Sequence, residues 1–258
     1  LYSACKKENI KSIELLNSQL IEQDGLFYIL NENEMEAGIF CNSASNFDVF
    51  IPKSIKFQSK EFIITRIFEN AFESNKLKSI QFSKDSELRV IEKNAFLHSS
   101  LEKILIPSSV NKIEEEAFSY CYKLKNFEFS QNSQLTLIDR STFLSSSIES
   151  ILIPSKVTKI SEFAFCECIL LEKVEFEENS ELKIIEKKAF EETCFEKISI
   201  PASIEKLDES CFFGVSFLFD VDISAYNNHY HIFNNKFIIE KSDSKSDIFD
   251  VLIFARRD

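Results

Sequence analysis

Glycine and tryptophan are nearly missing from this chain of 258 residues, which has three of the former and none of the latter. A loop that holds a phosphate needs closely spaced glycines, and Gly25, Gly38 and Gly214 are too far apart to form one. Runs of apolar residues are also short. None approaches the ~18 residues of a membrane-spanning helix, so we expect no direct membrane insertion by this segment.

Positive charge and histidine are scarce as well. Thirty Lys and Arg stand against 42 Asp and Glu, a formal net charge of −12. Such a chain repels phosphate, which argues against nucleic acid and anionic membranes as partners. Of three histidines, His229 and His231 share one face at strand spacing, but no further metal ligand is near them, so no zinc site is predicted. Nothing supports a Cys–His catalytic pair, and no cofactor or metal site is predicted.

What the chain does have is a repeat, marked by seven phenylalanines at nearly constant spacing. The gaps alternate between 22 and 24 or 25 residues, and the longer motifs, such as FSQNSQL, recur every 47 residues. A period of about two dozen residues indicates a solenoid, in which each coil stacks on its neighbours. The seven are Phe72, Phe96, Phe118, Phe143, Phe165, Phe190 and Phe212.

Each coil begins with an apolar strand pattern. The last two apolar residues stand at i and i+2, as in Ile104-Ile106, which is the period of a β-strand. All four prolines directly follow such a pattern, where the missing N–H ends the strand. A second apolar pair and then a small residue before the phenylalanine complete the coil. The prediction is a β-rich solenoid whose coils bury their apolar residues only when stacked and capped.

The chain divides into three predicted segments. Residues 1–50 form an N-terminal cap, with a helix over 10–20 and a hairpin of 26–30 with 35–40. Residues 51–214 form the solenoid, whose first coil has an inserted hairpin between Pro52 and Phe72. Residues 215–258 form a C-terminal β cap, with a hairpin across Asn234-Asn235, a loop over 240–247 and a last strand over 250–254. No long linker intervenes, so one cooperative domain is expected.

The repeat resembles the BspA-like leucine-rich repeats, found in surface proteins of bacteria and of mucosal parasitic protists. The likeness rests on the pattern I-x-x-x-A-F-x-x-C-x-x-L-x-x-I, followed by motifs such as IPSSV, over residues 51–214. It implies a leucine-rich-repeat stack of about seven coils of 22–25 residues with N- and C-terminal β caps. It also implies a non-enzymatic protein-recognition module at the cell surface, with a role in adhesion or host interaction and a protein or extracellular-matrix partner.

The cysteines keep a second location open. Seven is an odd number, and Cys121 and Cys168 repeat two coils, roughly 10 Å, apart, too far for a bridge. They and Cys211 are predicted to be small buried hydrophobes. Cys194 lies one coil from Cys166 and Cys168, so the spacing does not exclude a single disulfide between Cys194 and one of them. These cysteines and the absence of any Asn-x-Ser/Thr acceptor favour the alternative of a cytoplasmic interaction scaffold, and a regulatory domain beside an enzyme is a third reading.

Strand residues between the buried ones must point outward and form the candidate binding surface. Leu105 and Leu152 are then apolar residues on a solvent face, two coils apart, although single surface leucines are also ordinary. Charged neighbours on the same face would add polar contacts. The predicted partner-binding residues are Lys103, Leu105, Glu128, Leu152, Lys173 and Glu175.

An acidic column offers a different kind of site. Glu92, Glu114, Asp139, Glu186 and Asp208 occupy the position where the family usually has Gly. Carboxylates on adjacent coils would lie about 5 Å apart, a spacing that suggests a Ca²⁺ ion bound between coils. The competing interpretation is a solvated acidic edge, because isolated oxygen pairs do not supply six to eight ligands.

Overall fold

The structure is a computed structural model that describes residues 19–42, 47–74, 76–208, 210–215, 217–218, 220–233, 237–241 and 249–255. Those residues form 22 β-strands and no helix. The strands are β1 (Gln19–Gln23), β2 (Leu26–Asn31), β3 (Glu36–Asn42), β4 (Asp48–Ile51), β5 (Ser54–Phe57), β6 (Lys60–Ile67), β7 (Ser79–Phe82), β8 (Val90–Ile91), β9 (Lys103–Ile106), β10 (Lys112–Ile113), β11 (Asn126–Phe129), β12 (Leu137–Ile138), β13 (Ser150–Ile153), β14 (Lys159–Ile160), β15 (Lys173–Phe176), β16 (Ile184–Ile185), β17 (Lys197–Ile200), β18 (Lys206–Leu207), β19 (Asp220–Ile223), β20 (Tyr230–Phe233), β21 (Phe237–Lys241) and β22 (Phe249–Ala255).

Eight four-residue strands, one from each coil, lie side by side along the stack. We call them the front strands: β4, β7, β9, β11, β13, β15, β17 and β19. Their pairings are parallel, as successive turns of a solenoid require. The predicted β-solenoid is confirmed, with about eight turns where seven were expected, since a front strand precedes the first spine phenylalanine and another follows the last. Each proline follows the end of a front strand, as predicted.

A second row of short strands runs along the opposite wall of each coil. These back strands, β8, β10, β12, β14, β16 and β18, are two residues long and pair in parallel along the stack. Each carries one fully buried residue, such as Ile91 or Ile160, so that the apolar pairs predicted from the sequence do face the interior.

The seven repeated phenylalanines stack directly on one another as a spine. Neighbouring ring centroids lie 4.9–5.9 Å apart with the planes within 17° of parallel. The backbone stacks with them, since Phe96 N–H donates to the Ala117 carbonyl of the next coil, N···O 2.8 Å. The same bond recurs from Phe72 to Phe190 at 2.7–2.9 Å. The spine therefore combines ring stacking with a third parallel hydrogen-bond ladder.

The turn around each spine phenylalanine contains left-handed backbone. The residues two before the first six phenylalanines and two after all seven have φ between +50° and +73°. Those before it are Asn70, Asn94, Glu116, Ser141, Phe163 and Lys188, and those after it are Ser74, His98, Tyr120, Ser145, Glu167, Glu192 and Gly214. The column where the family usually has Gly is a different one, and its residues do not have positive φ.

One continuous core runs the length of the stack, from Leu26 to Ile238. The inward residues of the front strands alternate with exposed ones, as in β9, where Ile104 and Ile106 are buried and Leu105 is exposed. In the longer coils the last inward residue is only half-buried, which differs from the prediction: Phe82, Phe129 and Phe176 pack against the core from its edge.

The predicted hairpins are present at both ends. Antiparallel pairs form between β2 and β3, between β5 and β6 inside the first coil, and between β20 and β21, with β22 added beside β21. The prediction of a helix over 10–20 is wrong at its C-terminal end, because Leu20 lies in β1, which pairs with β2. The loop expected over 240–247 is wrong at its start, because Glu240 and Lys241 belong to β21. Residues 10–18 of the expected helix and 242–247 of the expected loop lie outside the described part.

Candidate functional site

The outward side chains of the front strands form one continuous surface, which we call the sheet face. All six predicted partner-binding residues lie on it and are exposed. Leu105 is 52 % and Leu152 49 % exposed, which is high for leucines on regular strands. The inside–outside assignment of the front strands from the sequence therefore agrees with the structure.

Strand register fixes which of these residues are neighbours. Leu105 of β9 lies beside Glu128 of β11, and Leu152 of β13 lies beside Glu175 of β15. Lys173 forms an ion pair with Glu175, Nζ···O 2.9 Å. Each leucine is thus followed along the stack by a carboxylate.

Towards the C-terminal end the sheet face opens into a groove of about 1110 Å³, which we call the C-terminal groove. It spans β13, β15 and β17 and is bordered on one side by Leu152 and on another by Phe217, which is 61 % exposed. Sequence reasoning missed Phe217 because residues from 215 onward were assigned to the C-terminal cap, whereas the repeat continues into β19, three residues after Phe217. The signal in the sequence is that the repeat continues, since Leu218 stands three residues before Val221, as Leu101 does before Ile104.

The C-terminal groove is acidic. Its lining contains the lysines Lys173 and Lys197 and five glutamates, Glu172, Glu175, Glu177, Glu178 and Glu196. The Lys197 ammonium also pairs with Asp220, Nζ···O 2.8 Å, and this hydrogen bond raises the pKa of Lys197 above its usual value. Both lysines are therefore already partnered, and the groove presents a net negative surface.

Three members of the acidic column cap backbone donors of the preceding coil. Glu114 accepts a hydrogen bond from the backbone N–H of Lys93 on the preceding coil, and Glu186 accepts one from Glu162, at 3.1 and 3.2 Å. Glu92 does the same for Glu69 at 3.1 Å, although burial raises the pKa of its carboxyl. These carboxylates hold adjacent coils together through main-chain donors, which is a different use from the Ca²⁺ coordination considered above.

No metal centre is apparent in the part of the chain that the structure describes. There, no three His, Cys, Asp or Glu side chains converge as ligands. His231 is exposed and His229 is half-buried. The described residues also contain no helix that could span a membrane.

The cysteines fall into two kinds. Cys121, Cys166, Cys168, Cys194 and Cys211 are free thiols, so the bridge left open for Cys194 is not formed. Cys121 and Cys168 are buried and donate to the carbonyls of Phe96 and Phe143. Burial raises the pKa of each of these two thiols to about 12. The prediction of small buried hydrophobes is confirmed for Cys121, Cys168 and Cys211.

Cys41 is different, because it is disulfide-bonded. It lies in β3 of the N-terminal cap, and the one cysteine of the sequence not yet mentioned, Cys5, falls outside the described residues. The sequence had not suggested any bridge in the cap, since an odd cysteine count gives no sign of one isolated pair.

A separate apolar surface lies on the spine side of the coils. Tyr122 is 62 % and Ile169 65 % exposed, and both stand four residues after a spine phenylalanine. Tyr122 belongs to an aromatic cluster in which His98 stacks on Tyr120 with ring centroids 4.8 Å apart. This surface supplies exposed apolar side chains away from the sheet face, which makes it a useful control.

Comparison with known proteins places this geometry in a family. The profile of the BspA type leucine rich repeat region matches in six copies, over residues 35–160 and 136–250. Leucine-rich-repeat domains usually bind proteins and are typically non-enzymatic. A search of curated protein sequences gives no match.

Solved structures share the fold at low sequence identity. The pneumococcal vaccine antigen PcpA is 23% identical with a TM-score of 0.63, over 86% of this chain and 54% of that one. A leucine-rich repeat protein from Eubacterium ventriosum is 20% identical with a TM-score of 0.62, over 85% and 54% of the two chains. The T. pallidum leucine rich repeat protein is 16% identical with a TM-score of 0.52, over 80% and 84%. The chain spans about half the length of the first two, and it belongs to the BspA-type leucine-rich-repeat family.

Proposed function

We propose that this chain is a non-enzymatic recognition module that binds a protein partner through its sheet face. The observation that carries the proposal is the exposure of Leu105 and Leu152 on a rigid, hydrogen-bonded strand surface. Binding there costs little conformational entropy, because the strands are already ordered by the stack. Apolar anchors surrounded by polar groups are the usual centres of protein interfaces.

The proposed location is the cell surface, with a role in adhesion or host interaction. The disulfide at Cys41 supports it, because stable bridges form in oxidising compartments. The fold is also shared with PcpA, a protein described as a vaccine antigen. Several modest contacts along a repeat face would gain strength by avidity where copies cluster on one surface.

The alternative is an intracellular interaction scaffold. Its support is the set of five free cysteines and the absence of glycosylation acceptors in the sequence. Four of those thiols are buried in the core, however, where they are protected in any compartment. The Cys41 bridge is thus the more discriminating observation and favours the surface.

Location is tested by antibody labelling of intact source cells, with permeabilised cells for comparison. We expect labelling of intact cells. Labelling only after permeabilisation would refute the surface location and favour the scaffold.

Recognition is tested with the full chain against a panel of extracellular-matrix proteins and intact host cells. We expect the double variant Leu105→Asp and Leu152→Asp to lose at least tenfold in affinity, the loss of about 1.4 kcal/mol that a buried apolar anchor supplies. The matched control, Ile169→Asp, changes an apolar residue that is more exposed than either leucine and lies outside the sheet face, and it should bind normally. Equal loss in both variants, or none in the double variant, would remove the sheet face as the binding surface.

A further inference from the structure

The C-terminal groove coincides with a break in the sheet. β13 and β15 pair in one ladder and β17 and β19 in another, and among the described strands no pairing joins β15 to β17. The groove lies across this junction and takes lining residues from both sides of it. The front strands are unpaired in the same way between β11 and β13, so the groove is distinguished by its volume of about 1110 Å³, large enough to receive side chains of a partner.

Charge is distributed unevenly along the sheet face. In the middle of the face, the exposed charges of β9 and β11 are Lys103 and Glu128, one of each sign. In the groove five glutamates face two lysines, and Asp220 and Asp222 of β19 lie just beyond. Because Lys173 and Lys197 are paired with Glu175 and Asp220, the remaining carboxylates set the local potential.

Apolar contact surface accompanies this charge. Leu152 and Phe217 both line the groove and are 49 % and 61 % exposed. Between them lie β15 and β17, with the exposed Ser199 as a small polar residue of the lining. An occupant that satisfies the site must bring positive charge for the glutamates and at least one apolar group for the two hydrophobic residues.

From this combination we infer that the C-terminal groove binds a basic, extended peptide segment of the partner, with an apolar side chain placed between Leu152 and Phe217. The inference rests on the proposed function and specifies the chemistry of the partner. Complementary charge raises the association rate and selects against acidic segments, while the apolar contact slows dissociation. Anionic ligands are disfavoured by the same carboxylates.

The test is selection from a displayed library of short random peptides against the full chain. Peptides that combine Lys or Arg with Leu, Phe or another large apolar residue should be enriched, and their affinity should fall as salt is raised. The double reversal Glu178→Lys and Glu196→Lys should weaken them about tenfold or more, and Phe217→Ala should do the same. Neither glutamate forms an ion pair in the described part of the chain, so that folding is preserved.

The matched control reverses two exposed charges outside the groove, Glu102→Lys and Glu181→Lys, and should retain binding. Enrichment of acidic or uncharged peptides, equal loss in the control, or no enrichment would overturn the inference. Enriched peptides that lose binding with Leu105→Asp but not with Phe217→Ala would also overturn it, while leaving recognition by the sheet face intact. Failure of the proposed recognition would appear separately, as binding to matrix proteins or host cells that neither Leu105→Asp nor Leu152→Asp weakens.

Discussion

At the scale of single residues, substitutions in the buried spine and on the exposed surface should have very different effects on stability. Phe143 is fully buried, stacks on Phe118 and Phe165 at 5.7 and 5.1 Å, and meets the edge of Phe127 at 4.6 Å. Replacing it with Ala would leave a cavity between rigid neighbours. We expect Phe143→Ala to lower the free energy of unfolding by about 3–5 kcal/mol, as measured by denaturant unfolding.

The comparison is the double variant Leu105→Asp and Leu152→Asp, which changes two half-exposed residues. Its unfolding free energy should stay within about 1 kcal/mol of the parent chain. A loss as large as that of Phe143→Ala would mean that the front strands face the other way.

The cysteines provide a second prediction at the residue scale. Burial raises the pKa of the Cys121 and Cys168 thiols to about 12, so both stay protonated in the folded chain at pH 9. Alkylation requires the thiolate. Mass mapping after alkylation of the native chain should therefore find Cys194 modified first, Cys121 and Cys168 only after unfolding, and Cys41 only after reduction.

These two thiols also make stability depend on alkaline pH. In the unfolded chain a thiol ionises near pH 8.5 to 9, whereas in the fold it keeps its proton until about pH 12. The unfolded state then binds fewer protons, so stability should fall as pH rises from about 9 to 12.

Equal alkylation rates for Cys194 and Cys168 in the native chain would contradict this account of burial.

At the scale of the element, the turn around each spine phenylalanine could not be predicted from the sequence. Period-2 apolar residues such as Ile104 and Ile106 predicted the front strands, because burial alternates with the pleat. The sequence did not indicate left-handed backbone at Glu116, Phe163 and Lys188, because these residue types are not typical of positive φ. Their conformation is imposed by the stacked neighbours and not by local preference.

The site shows the same limit. Leu105 and Leu152 were predictable because the strand period assigns them a face. The concavity across β15 and β17 was not, because it depends on how the last coils pack beside the C-terminal cap. Long-range packing of this kind has no periodic signature in the sequence.

The left-handed backbone of the turns leads to a prediction about glycine and alanine at one of these positions. Glu116 has φ of +58°, a conformation that Gly adopts freely and residues with a Cβ do not. We expect Glu116→Gly to be more stable than Glu116→Ala by about 1 kcal/mol. Because both variants remove the same carboxylate, the difference isolates the backbone.

The control pair is Glu102→Gly and Glu102→Ala, at a position outside the left-handed columns. There the order should reverse, with Ala the more stable, because Gly costs backbone entropy. The same order at both positions, measured by chemical denaturation, would show that the turn is not strained.

At the scale of the whole molecule, the stack behaves as a one-dimensional array joined by a single core. Each coil touches only its neighbours, through the front and back ladders and the ladder at the spine. In such arrays stability is a sum of coil terms and interface terms. A whole repeating unit is therefore removable if the new neighbours match.

We expect deletion of residues 106–152, one 47-residue unit, to give a folded chain. The join places Ile153 after Leu105, which restores a front strand followed by Pro154, and brings Cys168 to the position of Cys121. The slope of denaturant unfolding should fall by roughly a fifth, in proportion to the surface removed. Deletion of residues 106–140, which stops within a coil, should instead give an unfolded or aggregated chain by circular dichroism. Loss of folding in both deletions would mean that coils are not interchangeable, and that the caps depend on these particular neighbours.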